Sequence, residues 1–434
     1  MLGEKIRKIG FWSLDFVKGA RIRAHYKDIK NIIESPSDSE DPTEEYLFNL
    51  LDHAVETSQY YCRYKGYKSL EDFPIIDKNM IKANEDKIMS EKYKGKKLHA
   101  MSTSGSTGIP FTILQDRNKR KRVQAEIIYF GEICGYNLGD RNACFRIWTG
   151  KKNRLSHWKQ NLVPVDISNL DRENLERIRI RLKQKDKIKC ILSYAKSLQI
   201  LSRYLVERGD TPNMFHVELV ISSSQALDDL TRENLKKVFG CNVVSRYSNQ
   251  ENGVLAQEPI NSDYFLINRA NYHMEFLKVD SEEVAELGEL ARVVITDLFN
   301  YATPIIRYDT GDLATLQAHG RYGRVIKQVE GRRSDFLFNT KGELVNPGIV
   351  NVNMSSFDKV NQYQFIQNGE KDYVLKLNVL KGLYEDEDII SMLKSGLGKD
   401  ANITIEHVEG IPHLASGKFR STVQNYKKDV LSNR

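Results

Sequence analysis

The sequence lacks the features of a secreted, disulfide-linked or membrane-spanning protein. Its 434 residues include only 5 cysteines, without a CxxC pair: Cys62, Cys134, Cys144, Cys190 and Cys241. This spacing predicts buried free thiols and argues against a zinc or dithiol motif. Apolar runs stay well short of the ~18 residues of a membrane span, and no signal-peptide pattern is present. We therefore expect a cytoplasmic protein without a membrane span.

The charge pattern argues against a nucleic-acid partner. Lys and Arg number 65 against 58 Asp and Glu, which gives a net charge of +7 spread along the chain. Basic residues do not cluster with interleaved aromatic residues, as they do in nucleic-acid-binding proteins. The pattern GxxxxGK[ST] is also absent, so a Walker-type phosphate loop is excluded.

Residues 1–42 are predicted to form a basic helical arm. Between Lys5 and Lys30, apolar residues alternate with Lys and Arg in an amphipathic pattern. Such a helix could lie on an anionic membrane, but a solvated helix packed on the main domain is the favoured interpretation. The acidic segment 34–42 separates this arm from the rest of the chain.

Residues 43–331 are predicted to form a large α/β domain. Short apolar strands alternate with helices from Ala143 to Arg246, a pattern typical of a parallel sheet. Polar loops follow the strands at Ser222 and Tyr247, where such sheets bind their ligands.

The pattern of predicted secondary structure changes after Tyr264. Strands and turns follow one another there, which predicts a mainly antiparallel subdomain. Residues 332–434 are predicted to form a small α+β domain, within the usual size range of domains. A monomer and a homodimer are both compatible with the sequence.

A hydroxyl- and glycine-rich loop extends from Met101 to Phe111. Its centre is Ser104, Gly105, Ser106, Thr107 and Gly108. Glycines allow sharp turns, and the N–H and O–H donors suit phosphate oxygens. Taken alone, such a run is more often a flexible surface loop.

Five motifs in order carry a resemblance to a known family. They are STSGSTGIP at 102–110, YSNQE at 247–251, RYDTGD at 307–312, GRRSD at 331–335 and SGK at 416–418. Together they resemble the adenylate-forming superfamily of acyl-CoA synthetases and peptide-synthetase adenylation domains. FPIIDK near Phe73 and SSSQAL near Ser222 are similar to the phenylacetate-CoA ligase-like group and its CapK-type branch of capsular polysaccharide proteins.

The resemblance implies a two-step reaction in a large adenylate-forming domain with a small, mobile C-terminal domain. A carboxylic acid would react with ATP, with Mg²⁺, to give an acyl-adenylate, and coenzyme A would then accept the acyl group. Two alternatives stay open: transfer to an amine or amino sugar of a surface polysaccharide, and a non-catalytic nucleotide-binding scaffold.

The resemblance also implies roles for individual residues. The phosphates would contact Ser104, Gly105, Ser106, Thr107 and Gly108. The adenine would lie against Ser224, Gln225, Ala226, Tyr247 and Ser248. The remaining nucleotide contacts would be Asp312 to the ribose, Arg332, and Arg307 near the phosphates. Glu251 would hold Mg²⁺, Lys418 would bridge the substrate carboxylate and the α-phosphate, and Glu251, Arg332 and Lys418 are the implied catalytic residues.

The sequence departs from the family pattern at several of these positions. Ser334, followed by Asp335, stands where the hinge carboxylate is usual, and many relatives have an acidic residue in place of Gln225. Some relatives carry a Cys/His zinc site after the Glu251 motif. Here His273 is present but no cysteine lies beyond Cys241, so we predict no structural zinc. Trp148, Tyr194 and Tyr129 are positional candidates for the acyl pocket.

Overall fold

The structure is a computed structural model. It describes residues 2–36, 42–103, 111–148, 154–183, 187–345, 350, 354, 357, 360, 362–380, 382–411 and 421–426. Contacts divide the chain into two compact units. The large unit lies within 1–103, 110–310 and 314–329, and the small unit contains 311–313 and 330–434. The predicted boundaries at 42/43 and 331/332 stay predictions.

Helices dominate the N-terminal part of the large unit. They are α1 (Leu2–Val17), α2 (Arg21–Glu34), α3 (Thr43–Thr57), α4 (Lys78–Ala83) and α5 (Glu85–Ile88), with short 3-10 turns at Cys62–Tyr64, Leu70–Asp72 and Glu91–Tyr93. The buried Asp15 joins α1 to α2, because its carboxylate accepts from the backbone N–H groups of Ile22 (3.1 Å) and Arg23 (2.9 Å). An acidic side chain at a helix N-terminus satisfies otherwise unpaired donors.

A seven-stranded sheet forms the centre of the large unit. Its strands are β3 (Asn142–Arg146), β4 (Leu162–Asp166), β5 (Cys190–Tyr194), β6 (Leu219–Ser223), β7 (Asn242–Asn249), β8 (Gly253–Gln257) and β9 (Leu266–Ile267). The strand order is β4-β3-β5-β6-β7-β8-β9. Strands β3 to β7 pair in parallel, whereas β8 and β9 pair antiparallel. The predicted parallel α/β sheet is confirmed.

Helix α6 (Arg117–Ile133) precedes β3, and further helices connect the parallel strands. These are α7 (Arg154–Lys159), α8 (Arg172–Lys183), α9 (Ala195–Glu207) and α10 (Asp229–Phe239). Asp228 caps α10 by accepting from Thr231 N–H at 2.8 Å. Apolar faces of α8, α9, α10 and the parallel strands form one core that includes Leu198, Val220 and Leu235.

Two further groups of strands flank the central sheet. A hairpin pairs β1 (His99–Thr103) with β2 (Phe111–Gln115), with Thr103 opposite Phe111. A four-stranded sheet has the order β10 (Tyr272–Lys278), β11 (Leu290–Asp297), β12 (Tyr308–His319) and β13 (Gly323–Arg332). Strands β10 and β11 pair antiparallel, as the succession of strands and turns after Tyr264 predicts.

The small unit is an α+β structure. Its elements are a 3-10 turn at Arg333–Asp335, β14 (Leu337–Phe338), β15 (Leu344–Val345), β16 (Gln362–Gln367), β17 (Asp372–Asn378), α11 (Asp386–Leu397), β18 (Asn402–His407) and β19 (Thr422–Gln424). A four-stranded sheet of order β18-β17-β16-β19 packs against α11. Phe365, Leu375 and Leu393 lie in its core.

One expectation from the sequence is wrong in detail. Cys62 is exposed rather than buried, because it lies in a surface 3-10 turn. Across the part of the chain that the structure describes, none of the helices has the length and apolar character needed to cross a bilayer.

Candidate nucleotide site

A buried carboxylate, Glu251, lies where the YSNQE and RYDTGD motifs meet the strand that follows the glycine-rich loop, within the large unit. The Tyr308 hydroxyl donates to Glu251 Oε1 at 3.0 Å, and Gln115 Nε2 donates to the Glu251 backbone oxygen at 2.8 Å. Gln115 ends the strand that follows the glycine-rich loop, and Tyr308 belongs to the RYDTGD motif. The tertiary fold therefore brings the loop hairpin, the YSNQE motif and the RYDTGD motif to one carboxylate.

A cation and two aromatic rings extend this cluster. The rings of Tyr308 and Phe111 are stacked with centroids 6.4 Å apart, and Lys78 Nζ lies 4.8 Å from the Phe111 centroid. Phe111 is the first described residue after the glycine-rich loop. A lysine beside the end of that loop adds positive potential where an anion would bind.

The carboxyl ends of β6 and β7 carry the predicted adenine contacts. Ser224, Gln225 and Ala226 are exposed directly after β6. Ser224 has φ 74°, a left-handed conformation that costs a non-glycine residue on the order of 1–3 kcal/mol and is frequent at functional sites. In β7, Tyr247 is buried with its hydroxyl 3.5 Å from Thr310 Oγ1, and a β-bulge separates it from the half-buried Ser248.

Two buried polar atoms lie beside these strand ends. Among the described residues, Ser222 Oγ and Asn252 Oδ1 are buried without a hydrogen-bond partner. Ser222 precedes the exposed turn at Ser224, and Asn252 follows Glu251 in the chain. Buried polar atoms are nearly always paired in folded proteins, so orphaned atoms at these positions fit a site that binds a polar ligand.

Arg307 lies in an ion-pair network of its own. Its guanidinium contacts Glu275 at 2.9 Å and Glu282 at 3.2 Å and donates to the Phe73 carbonyl at 3.0 Å. Burial alone would lower the pKa of Arg307, but hydrogen bonds to Glu275 raise it above its usual value. These contacts give Arg307 a structural role, and its predicted contact with phosphate stays a prediction.

Asp312 and Arg332 lie together in the small unit. Arg332 Nε is 4.0 Å from Asp312 Oδ1, and the Arg332 side chain is largely exposed whereas Asp312 is mostly buried. Two predicted nucleotide contacts from separate motifs are therefore neighbours. At 4.0 Å an exposed ion pair of this kind contributes little to stability, so the guanidinium can be redirected at small cost.

Some predicted residues lie outside the described residues. These are the phosphate-loop residues Ser104, Gly105, Ser106, Thr107 and Gly108, and the C-terminal Lys418. Of the acyl-pocket candidates, Tyr129 packs in the core beneath α2, and the Trp148 indole donates to the Val165 carbonyl. Within the ranges that the structure covers, no three His, Cys, Asp or Glu side chains form a group that could hold a metal ion.

Sequence reasoning missed two residues that contact Glu251 and one lysine with a shifted pKa elsewhere in the large unit. Tyr308 and Gln115 both position Glu251, and only Tyr308 had a signal, its place inside the RYDTGD motif. Lys196, which follows β5, is the third. Burial, together with the charge of Arg203, lowers its pKa to about 8, a shift that no sequence pattern reveals.

A buried polar network lies next to Glu251 and Asn252 in the large unit. Lys119 and Asp297 are fully buried with Nζ and Oδ2 2.7 Å apart, and Tyr272 accepts from the same amine at 3.2 Å. The nearby Glu126 accepts from Val254 N–H at 3.0 Å, and burial raises its pKa. Asn252, next to Glu251, reaches Asp297 at 3.5 Å, so the network joins the site to α6.

Comparison with known proteins shows which chains this sequence is similar to. The model of the CapK C-terminal domain family matches residues 337–425. Protein CapK of Staphylococcus aureus is 24% identical over 443 residues, covering 95% of each chain. Phenylacetate-coenzyme A ligase of Pseudomonas putida is 23% identical over 234 residues, covering 53% of this chain and 48% of that ligase.

A solved structure shares the fold. A 2-hydroxyisobutyryl-CoA ligase in the postadenylation state, in complex with 2-HIB-AMP, aligns with a TM-score of 0.70 at 14% identity and covers 90% of this chain and 91% of that one. The fold is therefore that of the adenylate-forming ligases. The chain is also a homologue of CapK over 95% of its length. The resemblance and the fold class predicted from the sequence are both confirmed.

Proposed function

We propose that this chain is an AMP-forming ligase that activates a carboxylic acid with ATP and transfers the acyl group to coenzyme A. The observation that carries the proposal is that Glu251 of the YSNQE motif contacts Tyr308 of the RYDTGD motif and Gln115 of the strand after the glycine-rich loop. The activities named for the phenylacetate-coenzyme A ligase and the 2-hydroxyisobutyryl-CoA ligase support it.

In the first step, a carboxylate oxygen of the acid attacks the α-phosphorus of ATP. The bond between the α-phosphorus and the bridging oxygen breaks, and pyrophosphate leaves. Glu251 fits a magnesium ligand because Mg²⁺ prefers carboxylate oxygens, and the Tyr308 hydroxyl fixes one oxygen of that carboxylate at 3.0 Å. Bound there, Mg²⁺ would neutralise charge on the phosphates.

The remaining contacts orient the nucleotide and the reacting groups. Asp312 would accept from the ribose hydroxyls, and the mobile guanidinium of Arg332 would contact the nucleotide. Lys418 would donate to the negative charge that builds up between carboxylate and α-phosphate. The exposed turn at Ser224–Ala226 and the ring of Tyr247 would contact the adenine.

In the second step, the thiol of coenzyme A attacks the acyl carbon. The thiol loses its proton, the acyl–phosphate bond breaks, and AMP leaves. The small unit would move between the two steps, because one site must serve two reactions.

Pyrophosphate release tests the first step. The full chain, MgATP and a panel of carboxylic acids should give acid-dependent pyrophosphate, and AMP should follow when coenzyme A is added. Acid-dependent pyrophosphate with AMP release only to an amine or amino sugar would move the acceptor from thiol to amine. No release with any acid, together with measurable ATP binding, would favour a nucleotide-binding scaffold over an enzyme.

A further inference from the structure

The outward face of α1 is apolar, which is the reverse of the usual pattern for a surface helix. Five of its large apolar side chains are between 51% and 81% exposed: Ile6, Ile9, Leu14, Phe16 and Val17. Most of them recur at spacings of three, seven and eleven positions, so they share one side of the helix. We call these five residues the α1 face.

Charged side chains dock α1 on the large unit, and Phe11 and Trp12 are half-buried. Glu4 pairs with Lys189 at 3.2 Å, Lys8 lies 3.5 Å from Glu132, and Asp15 caps α2. The backbone also approaches closely at Gly139, where an added Cβ would lie 2.5 Å from the Glu4 carbonyl oxygen. Specific contacts therefore hold α1 with the α1 face outward.

Helix α7 continues this surface. Leu155 and Trp158 are 62% and 66% exposed. Arg7 joins α7 to α1, because its guanidinium lies 5.5 Å from the Trp158 ring and donates to the Trp158 carbonyl at 3.5 Å. Contiguous exposed apolar patches mark interaction sites or membrane contacts, and tryptophan is enriched at membrane interfaces.

Exposed basic side chains lie in α1 and in the residues that follow it. They are Lys5, Lys18, Arg21 and Arg23. Both acidic side chains of α1, Glu4 and Asp15, are used by the inward contacts described above. The outward side of α1 therefore combines exposed apolar side chains with nearby positive charge.

We propose that the α1 face docks this protein on an anionic lipid bilayer, with α1 lying in the plane of the interface. Apolar side chains would enter the boundary between headgroups and acyl chains, as amphipathic interfacial helices do. Basic side chains near an anionic leaflet each add about 1 kcal/mol of attraction. A second copy fits less well, since symmetric pairing of this face would place Lys18, Arg21 and Arg23 against their own counterparts.

The proposal departs from the interpretation favoured by the sequence, a solvated helix packed on the main domain. Helix α2 does pack on α6 through Ile29, Ile32 and Ile33. Helix α1 docks through charged residues and through Trp12, whose ring contacts Tyr26, and it leaves the five residues of the α1 face outside. The inference is independent of the nucleotide chemistry.

Vesicle flotation of the full chain tests the proposal. Vesicles of phosphatidylcholine with about one third phosphatidylglycerol should bind the protein at low salt and release it at high salt, whereas pure phosphatidylcholine should bind at least about tenfold less. The double variant Phe16→Ser/Val17→Ser should lower binding by at least about tenfold. Lys18→Glu/Arg21→Glu should do the same.

Matched controls come from the small unit. Leu380→Ser removes an equally exposed apolar side chain, and Lys341→Glu/Lys399→Glu reverses two exposed charges. Neither should change binding. Equal binding by the Phe16→Ser/Val17→Ser variant, or no preference for phosphatidylglycerol, would overturn the proposal. So would a dimer, seen by light scattering, that this variant dissociates while the parent protein fails to bind vesicles.

Discussion

The Tyr308 hydroxyl lies 3.0 Å from Glu251 Oε1, although 57 positions separate the two residues in the chain. This bond connects the motif at 307–312 with the motif at 247–251. Glu251 is buried, and a carboxylate with one oxygen held by a tyrosine keeps the other oriented for a ligand.

Tyr308→Phe should therefore weaken the site without unfolding the protein. Loss of a hydrogen bond to a charged group costs roughly 1.5–3 kcal/mol, so we expect a tenfold to hundredfold rise in the Mg²⁺ concentration needed for half-maximal pyrophosphate release. Tyr67→Phe is the matched control, because the Tyr67 hydroxyl donates to Asp52 at 2.7 Å on the surface. An unchanged Mg²⁺ requirement in Tyr308→Phe would remove Glu251 from the metal site.

Asp312→Ala should raise the apparent KM for ATP. Its carboxylate would accept from both ribose hydroxyls, and charge-assisted hydrogen bonds are worth roughly 1.5–3 kcal/mol each. Titration of ATP in the pyrophosphate assay measures the effect. Asp280→Ala, at an exposed aspartate, should leave the KM unchanged. If ATP affinity is the same in both variants, Asp312 does not bind the ribose.

Lys418→Ala should separate the two half-reactions. A donor placed between carboxylate and α-phosphate lowers the first barrier selectively, so adenylate formation should slow by at least ~10²-fold. A supplied acyl-adenylate should still react with its acceptor at nearly the parent rate. Lys399→Ala serves as the exposed-lysine control. Equal losses in both half-reactions would assign Lys418 to the fold rather than to the chemistry.

Lys119→Met should destabilise the large unit. The substitution leaves Asp297 buried without its cation, and breaking a buried pair in this way costs about 3–5 kcal/mol. The double variant Lys119→Met/Asp297→Asn should recover much of the loss. Urea unfolding followed by tryptophan fluorescence reports on the large unit alone, because all three tryptophans lie in it: Trp12, Trp148 and Trp158. Equal stability of Lys119→Met and the parent protein would contradict the burial of this pair.

Lys196 should make stability depend on pH in a defined window. Its folded pKa is lowered to about 8 from 10.5 by burial and by Arg203. Between about pH 8 and pH 10.5 the unfolded chain therefore binds more protons than the folded chain. The contribution of Lys196 to the free energy of unfolding rises with pH across this window and is lowest below about pH 8. Lys196→Met should be more stable than the parent at pH 7 and should lose that advantage near pH 10.5. Lys159→Met, at an exposed lysine, should show no such difference when urea unfolding is compared at both pH values.

Much of the fold follows from local patterns. The strands β3, β5, β6 and β7 are short apolar runs bounded by turns, so their periodicity predicts them directly. Strand β4 is missed because Pro164 lies within it. That proline is tolerated because β4 is an edge strand of the sheet. At an edge, the N–H that proline lacks is not needed for a hydrogen bond to a neighbouring strand.

The order of the five motifs was enough to predict the fold of the adenylate-forming ligases and a set of candidate residues. Motif matching selects Glu251 and Asp312 because their expected chemistry is attached to short local signatures, and their roles stay predictions. Motif matching could not predict that Arg307 pairs with Glu275. The two residues lie 32 positions apart, and only the packing of β10 near the start of β12 brings them together.

Tertiary structure alone decided two further points. The contact between Tyr308 and Glu251 depends on how two separate sheets pack, which no local pattern contains. The direction of the α1 face is the other point: an amphipathic sequence specifies that one side of the helix is apolar, but not which side meets the protein. Asp15, Glu4 and the close approach at Gly139 decide that side, because ion pairs and caps to distant partners form only once the large unit has folded.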